Sequence, residues 1–233
     1  MFAGKVVVVT GAAGALGRAV FEHFADGGAR VVALDYSDEL LDSAFPVKDS
    51  MHEYRKVDLT RRDSCQLVLS KVIDDLGQIN VLCNVAGGFL MGEAVHETSD
   101  ETWDFLFNLN TRSIVNTSSV VVPQMQKQGG GKIVNIAAKA ATQGFANMGA
   151  YTASKAAVMR LTEAMAAELR EQQINVNCIM PGTIDTPRNR EDMPDADHNR
   201  WVPPSQLASV IGFLASDAAA AVHGAAIPVD GLS

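Results

Sequence analysis

The sequence predicts an α/β fold in which a doubly wound, parallel, seven-stranded sheet is covered by helices on both faces. Short apolar runs alternate with longer segments of helical character along the whole chain. These runs are continuous rather than alternating, which is typical of strands buried on both faces. The 233 residues contain no linker and no low-complexity segment. They therefore predict one domain, spanning residues 1–233, with a single large core.

Five apolar runs predict strong strands. They are KVVVVT (5–10), RVVALD (30–35), INVLCNVAG (79–87), KIVNIA (132–137) and INVNCIMPG (174–182). Two weaker runs, EYRKVD (53–58) and AAIPVD (225–230), complete the sheet.

Helical segments separate these strands, near residues 15–27, 61–76, 100–127, 149–172 and 204–216. Ser99, Asp100 and Glu101 supply a cap and acidic first-turn residues for the third helix. Repeated βαβ units of this length predict right-handed crossovers and a parallel sheet.

The segment from Thr183 to Pro204 is polar, carries four prolines and shows no helical or strand period. A loop of this length inside a domain is usually functional and often covers a site. We therefore expect residues 183–204 to form a substrate loop.

Composition and charge exclude several classes of function. The formal net charge of −8 argues against a nucleic-acid partner. No apolar run approaches the roughly 18 residues of a membrane span. The N-terminus enters a strand at once, so no secretory signal is expected, and a cytoplasmic location follows. Cys65, Cys83 and Cys178 are widely spaced, which predicts buried free thiols and no metal site.

The motif TGAAGALG, Thr10 to Gly17, follows the first predicted strand and opens the first helix. Gly11 permits a tight turn, Ala15 and Gly17 keep side chains away, and the helix N-terminus offers amides to a pyrophosphate. A glycine-rich turn alone is weak evidence, because turns need glycine in any case. Its place between a strand and a helix favours a dinucleotide site.

Asp35 ends the second predicted strand, where a carboxylate can accept hydrogen bonds from both ribose hydroxyls and repel a 2′-phosphate. No Lys or Arg lies between Val31 and Pro46 whose positive charge could bind that phosphate. NAD(H) is therefore the expected cofactor. The alternative is that Asp35 only starts the turn DYSDE.

Six motifs together resemble the short-chain dehydrogenase/reductase family, in the family's order and over essentially the whole chain. They are TGAAGALG, KVDLT with Asp58, NVAG at Asn84 to Gly87, LN at Leu109–Asn110, YTASK at 151–155 and PGTIDT at 181–186. The resemblance implies a Rossmann-type domain, a nicotinamide cofactor and a homodimer or homotetramer.

The resemblance also implies which residues contact the cofactor. Asp58 and Leu59 would lie near adenine, the NVAG segment along the cofactor, and Ile184 and Thr186 at the nicotinamide amide. The full implied set is Gly11, Ala15, Leu16, Gly17, Asp35, Tyr36, Asp58, Leu59, Asn84, Ala86, Gly87, Tyr151, Lys155, Pro181, Gly182, Ile184 and Thr186.

Tyr151 and Lys155 are four residues apart and share one face of a predicted helix. A nearby ammonium favours the phenolate, so we expect Lys155 to lower the tyrosine pKa from about 10. Tyr151 would then exchange a proton with the substrate as hydride is transferred. The resemblance further implies that Lys155 holds the nicotinamide ribose. The resemblance also implies that Asn110 kinks its helix and holds a water. The alternative is that the Asn110 side chain only forms hydrogen bonds with the backbone of its own helix.

Ala138 stands thirteen residues before Tyr151, where most family members place a serine that polarises the substrate carbonyl. Losing a donor to a developing oxyanion costs about 10²–10³ in rate. Thr142 or Gln143 could replace that hydroxyl from the following turn, whereas Lys139 is expected to be a solvated loop charge.

Three segments resemble dihydropteridine reductase, a divergent branch of the same family in which alanine also stands at the serine position. They are residues 182–204, the AKAA run from Ala138 to Ala141, and VAGGF from Val85 to Phe89. A quinonoid dihydropterin is already electrophilic and needs no polarised ketone oxygen. The long helix from Asp100, the NVAG asparagine and the VDG ending resemble general oxoacyl or carbonyl reductases instead.

Three hypotheses about function remain at this point. The first is an NADH-dependent reductase of a pre-activated small molecule, with quinonoid dihydropteridine as the best single guess. The second is a general ketone, alcohol or 3-oxoacyl oxidoreductase that tolerates Ala138. The third is a non-catalytic NAD-binding sensor, against which the intact Tyr151, Lys155 and Asn110 count.

The predicted helices 100–127 and 149–172 are the expected assembly surface, because the resemblance implies pairing about a two-fold axis. Small residues on the second helix would allow close approach, namely Ala153, Ala156, Ala157, Ala164, Ala166 and Ala167. Any one of them could instead face the chain's own sheet.

Overall fold

Seven strands form a single sheet in this computed structural model, which describes residues 1–232. The strands are β1 (Val6–Thr10), β2 (Arg30–Asp35), β3 (Glu53–Lys56), β4 (Val81–Asn84), β5 (Gly131–Ile136), β6 (Ile174–Pro181) and β7 (Ala226–Val229). Their order is β3-β2-β1-β4-β5-β6-β7, and every neighbouring pair is parallel. The predicted fold class and all seven strands are confirmed.

Eight α-helices accompany the strands in residues 1–232. They are α1 (Ala15–Asp26), α2 (Asp38–Ala44), α3 (Arg62–Leu76), α4 (Asp100–Phe107), α5 (Ser113–Lys127), α6 (Gly149–Leu169), α7 (Pro187–Asp192) and α8 (Pro204–Leu214). The strand order reverses between β1 and β4, and such a reversal opens a crevice at the carboxyl ends of the strands.

The core lies on both faces of the sheet, as the continuous apolar runs predict. Every residue of β1 is buried. Val7 and Val9 pack into one hydrophobic cluster, and Val6 and Val8 pack into the other. Successive side chains of a strand point to opposite faces, so a strand covered by helices on both faces must be apolar at every position.

Three features of the helices differ from the prediction. The helix predicted at 100–127 is interrupted by a π turn at Asn108–Arg112. Helix α2 was missed because it is only two turns long, although Ser37 caps it by accepting a bond from Leu40 N. Helix α7 lies inside the predicted loop and is capped by Thr186, whose hydroxyl accepts a bond from Asn189 N.

The predicted strand at 79–87 ends early, at Asn84, where the chain leaves the sheet towards Gly87.

Cys65, Cys83 and Cys178 are buried and unbridged, as predicted. Burial raises the pKa of Cys65 and of Cys178 to about 11, so these thiols stay protonated at neutral pH. Within residues 1–232, every helix is too short or too polar to span a bilayer.

Candidate active site

Five positions of interest lie at the carboxyl edge of the sheet, because each ends or follows a parallel strand. Gly11 follows β1, Asp35 ends β2, Ala86 follows β4, Ala138 follows β5 and Gly182 follows β6. The crevice beside the β1–β4 reversal therefore has the nucleotide motifs on one side and the Tyr-Lys motif on the other.

The turn after β1 has no room for side chains at two of its glycines. Gly11 has a φ of +63°, which L side chains rarely adopt, and a Cβ there would lie 2.8 Å from Ala86 Cα. A Cβ on Gly17 would overlap the carbonyl oxygen of Gly11 and approach Ala12 Cα to 2.7 Å. The turn, the start of α1 and the segment after β4 therefore pack backbone against backbone.

The N-terminus of α1 is open to an anion. Gly14 stands at its N-cap without a side-chain cap, and the first turn holds no acidic residue. Gly14 and Ala15 are exposed, whereas Leu16 is buried and offers only its backbone. Free N–H groups together with the positive end of the helix dipole fit a pyrophosphate.

Asp35 is tied to the glycine-rich turn. Its Oδ2 accepts a bond from Ala13 N at 2.8 Å, and its Oδ1 accepts one from Tyr36 N at 2.7 Å. A carboxylate can accept about four hydrogen bonds, so acceptor sites remain for two ribose hydroxyls. The residues present therefore fit NAD(H), and Asp35 does more than start the next turn.

The side chain of Asn84 belongs to a buried hydrogen-bond network. Its Nδ2 donates to Asn135 Oδ1 at 2.8 Å, and its Oδ1 accepts from Thr117 Oγ1 at 2.9 Å. Asn135 in turn donates to Thr162. All four side chains are buried, so the Asn84 amide links β4, β5, α5 and α6.

The other predicted cofactor residues are placed as follows. Asp58 Oδ1 accepts bonds from the amide and the hydroxyl of Thr60, and the side chain of Leu59 lies in the core. Pro181 ends β6, and Gly182 N donates to Val229 O.

Lys155 is buried on α6 with 5% exposure, and its Nζ donates to Ile136 O at 2.8 Å. Burial lowers the pKa of Lys155 to about 8, against a smaller raising effect of Cys178. Tyr151 is partly exposed on the same helix, as a group that meets substrate must be.

Burial raises the pKa of Tyr151 to about 12. The expectation that Lys155 lowers this pKa is wrong for this structure, because burial of the phenol, which disfavours the phenolate, is the cause of the shift. Tyr151 is therefore protonated at neutral pH and can serve as a proton donor.

Asn110 lies in the π turn and bonds to a different segment of the chain. Its Oδ1 accepts from Gly88 N at 2.8 Å, and its Nδ2 donates to Gly88 O at 3.1 Å and to Ser154 Oγ at 3.0 Å. The alternative, an Asn satisfying helix backbone, is not what the structure shows. The bond between Ser154 and Asn110 cannot be predicted from the sequence. Nothing in the motif YTASK shows that the hydroxyl of Ser154 contacts a residue outside its own helix.

Ala138 is buried and begins the turn at Lys139–Thr142. Thr142 Oγ1 donates to Lys139 O at 2.9 Å, so its proton is used within the turn. Lys139 is exposed on this turn, as predicted for a solvated charge, and it forms an ion pair with Asp230 at 2.6 Å. Both proposed substitutes for the missing serine, Thr142 and Gln143, are exposed.

Phe89 contacts the proposed catalytic tyrosine. The rings of Phe89 and Tyr151 meet edge to face with centroids 4.8 Å apart, and Phe89 is 53% exposed. Gly92 N donates to Asn147 O at 2.8 Å, which ties the loop after β4 to the loop before α6. An exposed aromatic side chain therefore stands beside Tyr151.

The predicted substrate loop is partly ordered by its own contacts. Ile184 and Val202 form a parallel bridge at its base. Asp185 and Arg190 form a bidentate ion pair with N–O distances of 2.6 and 2.8 Å. Asn189 Nδ2 donates to Ile184 O, so α7 is tied to the strand-like base.

The model of the short chain dehydrogenase family matches residues 5–197. The chain belongs to this family.

Relatives of this short-chain dehydrogenase carry several activities in their names. It is 38% identical to a 3-oxoacyl-[acyl-carrier-protein] reductase FabG from Thermotoga maritima, over 98% of this chain and 97% of that protein. It is 33% identical to an NAD-dependent glycerol dehydrogenase from Listeria innocua, over 97% and 92% of the two chains.

The crystal structure of levodione reductase superimposes on this short-chain dehydrogenase with a TM-score of 0.92. The two chains are 26% identical, and the match covers 99% of this chain and 98% of that one. None of these three relatives is a dihydropteridine reductase, so the narrower resemblance is not shown, and enzymatic relatives weigh against the sensor hypothesis.

Proposed function

We propose that this short-chain dehydrogenase is an NAD(H)-dependent oxidoreductase that acts on a small molecule through Tyr151, Lys155 and Asn110. The nicotinamide supplies or accepts the hydride when the cofactor is bound. The exposed N-terminus of α1 and the carboxylate of Asp35 support binding of the dinucleotide and the preference for NAD(H) over NADP(H).

Tyr151 is proposed to donate a proton to the substrate atom that is reduced. The raised pKa of about 12 keeps the phenol protonated at neutral pH, as a donor must be. Lys155 carries three N–H donors, of which one is used by Ile136 O, so two remain for the nicotinamide ribose and for proton exchange. Asn110 is proposed to position the water that connects Lys155 to solvent.

The observation that decides the proposed substrate class is Ala138. No hydroxyl at this position can polarise a ketone, and the Thr142 hydroxyl already donates to its own turn. We therefore propose an acceptor that is activated before it binds, such as a conjugated imine or a quinonoid ring. The exposed Phe89 ring beside Tyr151 suits a flat substrate, and quinonoid dihydropterin remains the best single candidate.

A second candidate is an ordinary carbonyl substrate, such as a ketone or a 3-oxoacyl thioester. The 38% identity to the Thermotoga 3-oxoacyl reductase favours it. On this proposal another donor would replace the missing serine, and the developing oxyanion would be less well stabilised.

One panel of substrates separates these candidates. NADH oxidation is measured with quinonoid dihydropterin, simple quinones, cyclic and linear ketones, and a 3-oxoacyl thioester, using the wild type and Tyr151→Phe. We expect the pterin or quinone to be reduced fastest, and Tyr151→Phe to lose most activity while still binding NADH. Fast ketone or thioester turnover with none on the conjugated acceptors would establish the second candidate instead.

We further propose that the chain assembles as a homodimer or homotetramer through α4, α5 and α6. Ala166 is buried in the chain's own core, whereas Ala153, Ala164 and Ala167 are exposed on α6. Trp103 and Phe105 are each close to half exposed on α4. Light scattering at micromolar concentration should give the mass of two or four chains, and a monomeric mass would contradict the proposal.

A further inference from the structure

Ser154 lies on α6 between Tyr151 and Lys155, with no exposed surface. Its Oγ donates to Tyr151 O at 2.8 Å and accepts from Asn110 Nδ2 at 3.0 Å. The first bond stays within the helix, whereas the second reaches the π turn at Asn108–Arg112. One buried hydroxyl therefore joins the helix of the catalytic pair to the turn that carries Asn110.

The carboxamide of Asn110 has one orientation that satisfies all its partners. Gly88 N donates to Oδ1, while Nδ2 donates to Gly88 O and to Ser154 Oγ. An amide flip would aim the Asn110 NH₂ group at the N–H of Gly88, donor against donor. The hydroxyl of Ser154 accepts one of the two Nδ2 protons of Asn110. It therefore fixes the nitrogen end of the carboxamide, while Gly88 N fixes the oxygen end.

The oxygen of this amide and the ammonium of Lys155 both lie beside Gly87. A Cβ built on Gly87 would be 3.0 Å from Asn110 Oδ1 and 3.0 Å from Lys155 Nζ. The two atoms therefore lie within about 6 Å of each other, a range in which an oriented dipole acts on a buried charge.

We infer that Ser154 is a positioning residue of the active site, whose hydroxyl orients the Asn110 carboxamide with its oxygen towards the Lys155 ammonium. The inference rests on the proposed roles of Tyr151, Lys155 and Asn110. Ser154 itself acts only through Asn110.

Two further observations define what loss of the hydroxyl would change. Thr111 Oγ1 donates to Ser154 O at 3.1 Å, so the π turn stays attached to α6 when the Ser154 hydroxyl is removed. The titratable group that acts on Lys155 is Cys178 on β6, whose own pKa is raised by burial to about 11. With its pKa already lowered by burial, Lys155 depends on nearby dipoles to remain charged.

The alternative is that Ser154 only satisfies its own helix backbone. Ser119 on α5 provides the matched control, because its Oγ donates to the carbonyl of Asn116, three residues earlier, also at 2.8 Å. Ser154→Ala and Ser119→Ala lose the same kind of helix bond. Only Ser154→Ala also loses the bond to Asn110.

The test compares Ser154→Ala, Ser119→Ala and Ser154→Thr, using NADH and the acceptor that the wild type reduces fastest in the substrate panel. We expect Ser154→Ala to lower kcat about tenfold, the effect of one lost buried hydrogen bond, with KM nearly unchanged. The alkaline limb of its pH profile should move to lower pH, because a less stabilised ammonium loses its proton earlier. Ser119→Ala should change neither, and Ser154→Thr should restore activity if the added methyl group fits.

A second readout does not need substrate. The pKa of Lys155 is measured by NMR titration of protein labelled with ¹⁵N-lysine, and it should be lower in Ser154→Ala than in Ser119→Ala. Equal pKa values and equal kcat values in the two alanine variants would overturn the inference, whether or not the threonine variant folds. An active Tyr151→Phe would instead overturn the proposed function.

Discussion

The two halves of the carboxyl edge are built from different parts of the chain. Around β1, β2 and β4 the site is shaped by backbone, since Gly11 and Gly17 leave no space for a side chain. After β5 and β6 it is shaped by side chains on loops, where Ala138 replaces a hydroxyl without disturbing the fold. A substitution at a glycine of the first half should affect folding and cofactor binding, whereas a substitution at Ala138 in the second should mainly affect the choice of substrate.

Gly17→Ala should have the largest effect, because it adds a Cβ that overlaps Gly11 O and crowds Ala12. Backbone cannot move aside as a flexible side chain can, and overpacking typically costs about 1–3 kcal/mol. We expect a lower melting temperature and at least a hundredfold weaker NADH binding, measured by thermal unfolding and by fluorescence titration.

Gly14→Ala is the matched control for this change. A Cβ on Gly14 would meet only Gly11 O, at 3.4 Å, which is ordinary contact. If Gly14→Ala lowers the melting temperature as much as Gly17→Ala does, then crowding of the backbone is not what makes this half sensitive.

Gly87→Ala tests the junction of the two halves. The new Cβ would lie 3.0 Å from Asn110 Oδ1 and from Lys155 Nζ, so one or both groups must move. The two groups need to move by only a few tenths of an ångström, less than the displacement near 1 Å that costs about 10²-fold, so we expect kcat to fall by about tenfold. Steady-state kinetics should show this loss, while Gly144→Ala, with nothing within 4 Å of the new Cβ, should behave as wild type.

Most of the fold could be predicted from the sequence because continuous apolar runs are a direct consequence of burial on both faces. Five strands appear where the continuous apolar runs predict them, and the edge strands β3 and β7 appear where the two weaker runs do. Helix α2 and the π turn could not be predicted in this way. A two-turn helix has too few residues to show a period, and a π turn depends on the contacts of Asn110 with another segment.

The site was predictable to the extent that backbone geometry dictates residue type. Gly11 and Gly17 are visible in the sequence because only glycine fits them. The commitment of Asn84 to a buried network and the bond from Asn110 to Ser154 were not visible. Both join residues distant in sequence, and the raised pKa of Tyr151 likewise reflects tertiary burial.

Asp35→Ser tests whether the carboxylate of Asp35 sets the preference for NADH over NADPH. The change removes the charge that would face a 2′-phosphate, so the preference for NADH over NADPH should shrink about tenfold, measured by titrating both cofactors. Asp35→Asn separates charge from structure, because its amide oxygen can still accept the bond from Ala13 N. Equal affinities of the wild type for NADH and NADPH would remove the basis of the NAD(H) assignment.

Ala138→Ser should have the smallest effect on the proposed substrate and therefore tests the other half most directly. A conjugated acceptor is electrophilic before hydride transfer, so a new hydroxyl has little negative charge to stabilise, and turnover should change less than about twofold. Weak ketone reduction should improve, because a donor would then meet the oxyanion as it forms. Ala141→Ser adds the same hydroxyl three residues later in the same turn and should improve neither reaction.

If the wild type is instead a ketone reductase that uses Thr142, Thr142→Val should lower its activity, and Ala138→Ser should leave ketone reduction unchanged. The kinetics of Ala138→Ser, Ala141→Ser and Thr142→Val are measured with one pterin and one ketone. They decide whether the alanine at position 138 reflects a substrate that needs no polarising hydroxyl.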